Sequence, residues 1–159
     1  MENPVSLENL STEELSQQIL DRLPQKNPFR YLDRIIEIDQ ERIVGQYTFK
    51  QDEWFYQGHF PGQPVTPGVI LIEAMAQTSV VALGIYLLMA GGEDPDEYLT
   101  MFTDVDAEFY KEVKPGSVIN VKAEKLFFRR KKLKAKADLY LEDGTLAASA
   151  TLSGLGVKK

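Results

Sequence analysis

The sequence predicts an α+β domain in which a curved antiparallel sheet of about six strands wraps around a long central apolar helix. Residues 68–90 form a twenty-three-residue apolar run, opened by Thr66-Pro67 and closed by Gly91-Gly92. Two short strand-like segments precede this run, and from Tyr98 onward the chain reads as strand throughout. Pro115-Gly116 and Asp143-Gly144 divide that later stretch into hairpin-length pieces.

The elements follow in chain order. Leu7 to Leu23 reads as a helix: Ser11 and Glu14 match a capping box, and Leu15, Ile19 and Leu23 recur at helical spacing. Pro24 and Pro28 end it. Tyr31–Ile38 and Arg42–Phe49 read as two strands, and Asp52–Tyr56 as a short helical turn. Gly58, Pro61, Gly62 and Pro64 then mark a loop. Thr66 is the expected N-cap of the central helix, with Pro67 at its first position, where a missing N–H costs nothing. After an acidic loop at Glu93–Glu97 come strands at Leu99–Val113, Ser117–Phe128, Lys131–Leu141 and Thr145–Leu155. In the third of these, Leu133, Ala135, Ala137, Leu139 and Leu141 share one face, opposite Lys132, Lys134, Lys136 and Asp138. The whole reads as one domain over residues 1–159, with 1–23 as an N-terminal helical extension.

Composition narrows the function. The chain has 159 residues, 43% hydrophobic and 26% charged, as ordinary globular proteins do. Without cysteine there is no disulfide, thiol nucleophile or thiolate metal site, which suits a cytoplasmic location. His59 is the sole histidine, so no metal is expected. A net charge of -6 argues against nucleic acid as a partner. Met1 to Pro24 is polar and interrupted, unlike a signal peptide. The apolar run is long enough to span a membrane, but Glu73, Gln77, Thr78 and Ser79 are costly in hydrocarbon, and no membrane span is expected.

Three features could do chemistry. An imidazole is the usual general base, and His59 sits in a tight Gly/Pro loop, where function concentrates. Glu73 stands alone in the apolar run with no basic residue in the helix to pair with it. An apolar surrounding favours a protonated acid, and Gln77, four residues on, shares its helix face. A protonated acid beside a neutral imidazole makes an acid/base pair with separate roles. At the helix start, the Gly68 N–H lies at the positive end of the helix dipole and is open to a developing oxyanion.

These residues fall in GHFPGxPVxPGVxxIEAMAQ, which resembles the β-hydroxyacyl-(acyl carrier protein) dehydratases of bacterial fatty acid synthesis, of the FabZ type. LPQKNPFRYLDRIIEID and AEFYKEVKPGSVI resemble further parts of that family. The resemblance implies the hot-dog fold, with His59 as the base that removes the α-proton and Glu73 as the acid that protonates the leaving hydroxyl. By the same resemblance, the Gly68 amide polarises the thioester carbonyl, and Phe60, Pro67, Val69 and Gln77 bind substrate. It implies no cofactor, an acyl carrier protein as the substrate's bearer, and catalytic residues meeting across a homodimer or a trimer of dimers. Gln25, Lys26 and Asn27 replace the usual His, Arg and Tyr, and Tyr110 and Lys111 replace a basic pair. These departures leave acyl-chain length and carrier open, and with them the choice between a fatty acid and a polyketide or polyene pathway. A glutamate at position 73, where isomerising relatives carry aspartate, points to dehydration alone.

Arg129, Arg130, Lys131 and Lys132 crowd a basic cluster into an acidic chain, the expected docking patch for an acidic carrier, while Lys134 and Lys136 read as a solvated strand face. Two alternatives share the fold: an acyl thioesterase, and a non-catalytic acyl-binding partner subunit.

Overall fold

The computed structural model describes residues 7–159; the first six residues of the expected N-terminal extension lie outside the described residues. A 3-10 turn, Leu7–Asn9, precedes helix α1, Thr12–Arg22. The expected single helix is therefore split, because the Ser11 side chain accepts the Glu14 N–H at 3.1 Å and sets a new start there. Strands β1 (Arg34–Ile38) and β2 (Arg42–Thr48) follow. The central helix comprises α2 (Gly68–Ala76), a π-helical segment (Gln77–Ala82) and α3 (Leu83–Ala90). Strands β3 (Tyr98–Phe109), β4 (Val118–Arg129), β5 (Lys132–Leu141) and β6 (Leu146–Lys158) complete one antiparallel sheet, in the order β1-β2-β4-β5-β6-β3.

The sheet encloses the helix. Leu133, Ala135, Ala137 and Leu139 of β5 are all nearly or wholly buried, as the alternation predicts. Small residues let the helix settle close to the strands. A Cβ on Gly45 would fall 2.7 Å from the Thr78 hydroxyl, and one on Gly154 would lie 3.4 Å from Val80. Both contacts fall on the π-helical segment, whose β-branched Thr78, Val80 and Val81 crowd an ordinary α-turn. Across an eighteen-residue apolar window the helix is 72% buried inside the fold, so its apolar surface is the domain core.

Several boundaries differ from expectation for local reasons. Thr66 is not the N-cap; Pro67 holds that position without a side-chain bond, and the Thr66 hydroxyl instead meets the Tyr56 hydroxyl at 2.7 Å. Asp52–Tyr56 forms turns, not helix. β1 begins at Arg34 because the Tyr31 N–H is taken by the Gln77 side chain. β3 stops at Phe109, where the N–H groups of Tyr110 and Lys111 both turn onto the Ala147 carbonyl. β6 runs on to Lys158, paired with Tyr98.

Candidate active site

His59 lies on the loop between β2 and α2. Within it Pro61 and Gly62 (φ 77°) form a turn closed by the Gln63 N–H on the Phe60 carbonyl at 2.9 Å. The Phe60 N–H returns a bond to Gln63, and the Val65 N–H donates to the His59 carbonyl at 2.9 Å. The loop is thus a small hairpin with His59 at its base. Buried Tyr56 and Thr66 staple its two ends, and burial pushes the Tyr56 phenol up to about 12. The Thr66 N–H also donates to the Val113 carbonyl, tying the loop to the β3–β4 connection.

The His59 Nδ1 lies 2.9 Å from the Val65 carbonyl oxygen. A carbonyl only accepts, so Nδ1 carries a proton, and in the neutral imidazole Nε2 keeps its lone pair. The half-buried imidazole stacks on the exposed Phe60 ring at 4.1 Å between centroids. Residue type alone pointed to His59; it gave no sign of Val65, because a backbone carbonyl has no signature in sequence.

Glu73 stands on α2 four residues beyond Val69, an exposed side chain on the same face. The carboxyl group is half-buried, not fully enclosed as the sequence suggested. Gln77 holds it: Nε2 donates to Glu73 Oε1 at 3.0 Å and to the Phe29 carbonyl at 2.8 Å, while Oε1 accepts the Tyr31 N–H at 2.7 Å. Gln77 is wholly buried, and both ends of its amide are bonded within the chain, so it orients Glu73.

At the helix start, the Gly68 and Val69 N–H groups have no partner among the described hydrogen bonds. The Phe109 ring covers Gly68 so closely that a Cβ there would sit 3.0 Å from it. Pro67 is half-buried beside them. Phe109, at the end of β3, was not singled out by the sequence reading, though it lies in the AEFYKEVKPG stretch.

Two groups of residues lie apart in the single chain. Among the described residues, no hydrogen bond or ion pair joins His59 to Glu73. The basic cluster also lies elsewhere: Arg129 ends β4, Arg130 and Lys131 form a two-residue turn, and Lys132 opens β5. That turn adjoins Tyr98, at the opposite end of β3 from Phe109, roughly 36 Å away at strand rise. Lys131 is engaged there, 3.4 Å from Glu93 and above the Tyr98 ring, and the Glu93 charge raises its pKa. Arg129 lies over the Phe127 ring.

The chain is similar to known proteins. Residues 23–151 match the FabA-like domain. The chain is 37% identical over 144 residues to a 3-hydroxyacyl-(acyl carrier protein) dehydratase FabZ from Geotalea uraniireducens, covering 89% of this chain and 96% of that one. It is 37% identical over 145 residues to a protein of the same name from Protochlamydia amoebophila, with 89% of each chain covered. A solved dehydratase heterocomplex, ApeI:P from Xenorhabdus doucetiae, superposes with a TM-score of 0.75 at 19% identity, over 89% of this chain and 91% of that one. The helix-wrapping sheet, the loop bearing His59 and the extent of these matches lead to one assignment: the chain belongs to the FabA-like family, with the hot-dog fold.

Proposed function

We propose that His59, Glu73 and Gly68 carry out the dehydration of a 3-hydroxyacyl thioester borne on an acyl carrier protein. Relatives named as 3-hydroxyacyl-(acyl carrier protein) dehydratases support the reaction. Above all, the bond from His59 Nδ1 to Val65 supports the roles, because in the neutral imidazole it leaves Nε2 as the nitrogen that can accept a proton.

The Gly68 N–H donates to the thioester carbonyl and acidifies the adjacent carbon. His59 Nε2 takes the α-proton. Glu73, as the protonated acid, gives its proton to the β-hydroxyl, the C–O bond breaks, and water and a trans-2-enoyl thioester leave. The enzyme is left with an imidazolium and a carboxylate, so a proton returns from one to the other through solvent before the next turnover. Phe60, Pro67 and Val69 edge the path to Gly68 and contact the acyl chain. No cofactor enters these steps, and we place the reaction in the cytoplasm.

Because the single chain leaves His59 and Glu73 unconnected, we assign the completed site to two subunits meeting along β3. An antiparallel neighbour there brings its own Tyr98 end, and with it its basic turn, beside this chain's Phe109 and Gly68. That arrangement puts a carrier-docking patch of Arg129, Arg130 and Lys132 next to a site on the other subunit.

Incubation with a 3-hydroxyacyl carrier-protein thioester, followed by mass spectrometry, tests the reaction. The expected product is the enoyl thioester; free acid would mean a thioesterase, and no turnover a non-catalytic subunit. His59→Ala and Glu73→Gln are each expected to lower kcat by about 10²–10⁴.

A further inference from the structure

Trp54 stands in the turn between β2 and the His59 loop, and it is 52% exposed. A tryptophan so placed gains little from burial. Its polar end is nevertheless engaged. The indole N–H is shared between the Pro28 carbonyl and the Tyr31 hydroxyl, each at 3.2 Å. Both acceptors belong to segment 28–31, which lies in neither helix nor strand and so has no ladder to hold it. Tyr31 itself is buried, ringed by Phe29, Tyr47, Phe49 and Phe55 with centroids 5.4, 5.6, 6.3 and 6.2 Å away.

The same segment supports the acid. The Phe29 carbonyl and the Tyr31 N–H are both bonded to the Gln77 amide, and Gln77 Nε2 donates to Glu73. Tyr31 thus meets Gln77 through its backbone and Trp54 through its hydroxyl. We propose that Trp54 is a positioning residue for Glu73: its N–H fixes segment 28–31, and the segment fixes the Gln77 amide and with it the carboxyl group. Two further observations agree. Burial raises the Tyr31 phenol above its ordinary value, the Trp54 bond lowers it, and the charges of Glu53 and Glu73 raise it again, so this hydroxyl lies within electrostatic reach of the acid. The turn that carries Trp54 also leads into His59, through bonds from the Tyr56 N–H to Glu53 and from the His59 N–H to Tyr56. One indole therefore ties the loop of the base to the support of the acid. A small displacement of a reacting group is enough to slow proton transfer.

This inference rests on the role given to Glu73 above, and one arm of its test needs no turnover. Trp54→Phe keeps an aromatic ring and deletes the N–H. It is expected to lower kcat by about fivefold while KM stays within about twofold of wild type. In the double variant with Gln77→Leu, kcat should fall no further than in Gln77→Leu alone, because the two residues act in series. Trp54 is the sole tryptophan, so its emission reports its contacts without substrate. Gln77→Leu, which frees segment 28–31, and Tyr31→Phe, which deletes one acceptor, are each expected to shift that emission. Wild-type kcat or a loss carried by KM in Trp54→Phe, losses that multiply in the double variant, or an emission unmoved in both reporters would overturn the proposal. Emission shifts alongside a failed dehydratase assay would uphold the linkage and overturn only the role of Glu73.

Discussion

Gln77 makes three hydrogen bonds inside the protein, to Glu73, Phe29 and Tyr31, and so couples the helix to the segment before β1. Replacing it with leucine keeps its bulk but strands a buried N–H and a carbonyl, at a cost of roughly 2–4 kcal/mol. Gln77→Leu is therefore expected to lower the urea midpoint and, where the protein still folds, to lower kcat more than it changes KM. A residue that bound substrate directly would show the opposite split. The position was legible in the sequence, since i,i+4 spacing put Gln77 on the face of Glu73. Its other two partners were not, because they lie nearly fifty residues away and are backbone atoms. The same reason hid Val65 as the group that fixes the His59 tautomer.

Among elements, β5 was the most readable, since strict alternation of apolar and charged residues leaves only one face to bury. The π-helical segment was not readable, because its residues continue the apolar run. The β4–β5 turn carries a pH dependence. Glu93 accepts the Tyr98 hydroxyl at 3.0 Å and pairs with Lys131, which holds its carboxyl below the ordinary value of 4.5. A carboxylate depressed by folding contributes stability above its unfolded value and loses it as pH falls through the lower, folded one. Amide exchange at Gly156, whose N–H donates to the Lys131 carbonyl, is expected to quicken, once corrected for intrinsic rates, as pH drops below 4.5. Glu93→Gln should flatten that response.

At the scale of the whole molecule, sequence gave the hot-dog architecture because pattern and motif agreed on it. Assembly lay beyond reach, since fourteen residues between His59 and Glu73 fit a meeting within one chain or between two. The edge position of β3 and the distant basic turn are what point to two. Charge reversal of the turn follows from this view. Arg129→Glu with Arg130→Glu should raise KM for a carrier-borne substrate by about tenfold and leave kcat unchanged. A thioester on a small carrier-free mimic should show no such rise.

Strand β3 precedes β4 in the chain yet pairs only with β6, a thirteen-residue strand that ends at Lys158. During synthesis, then, β3 emerges from the ribosome with its partner strand still unmade, and its backbone stays unpaired until β6 follows. The strand on which the proposed two-subunit site depends is also the one that a chaperone would have longest to hold.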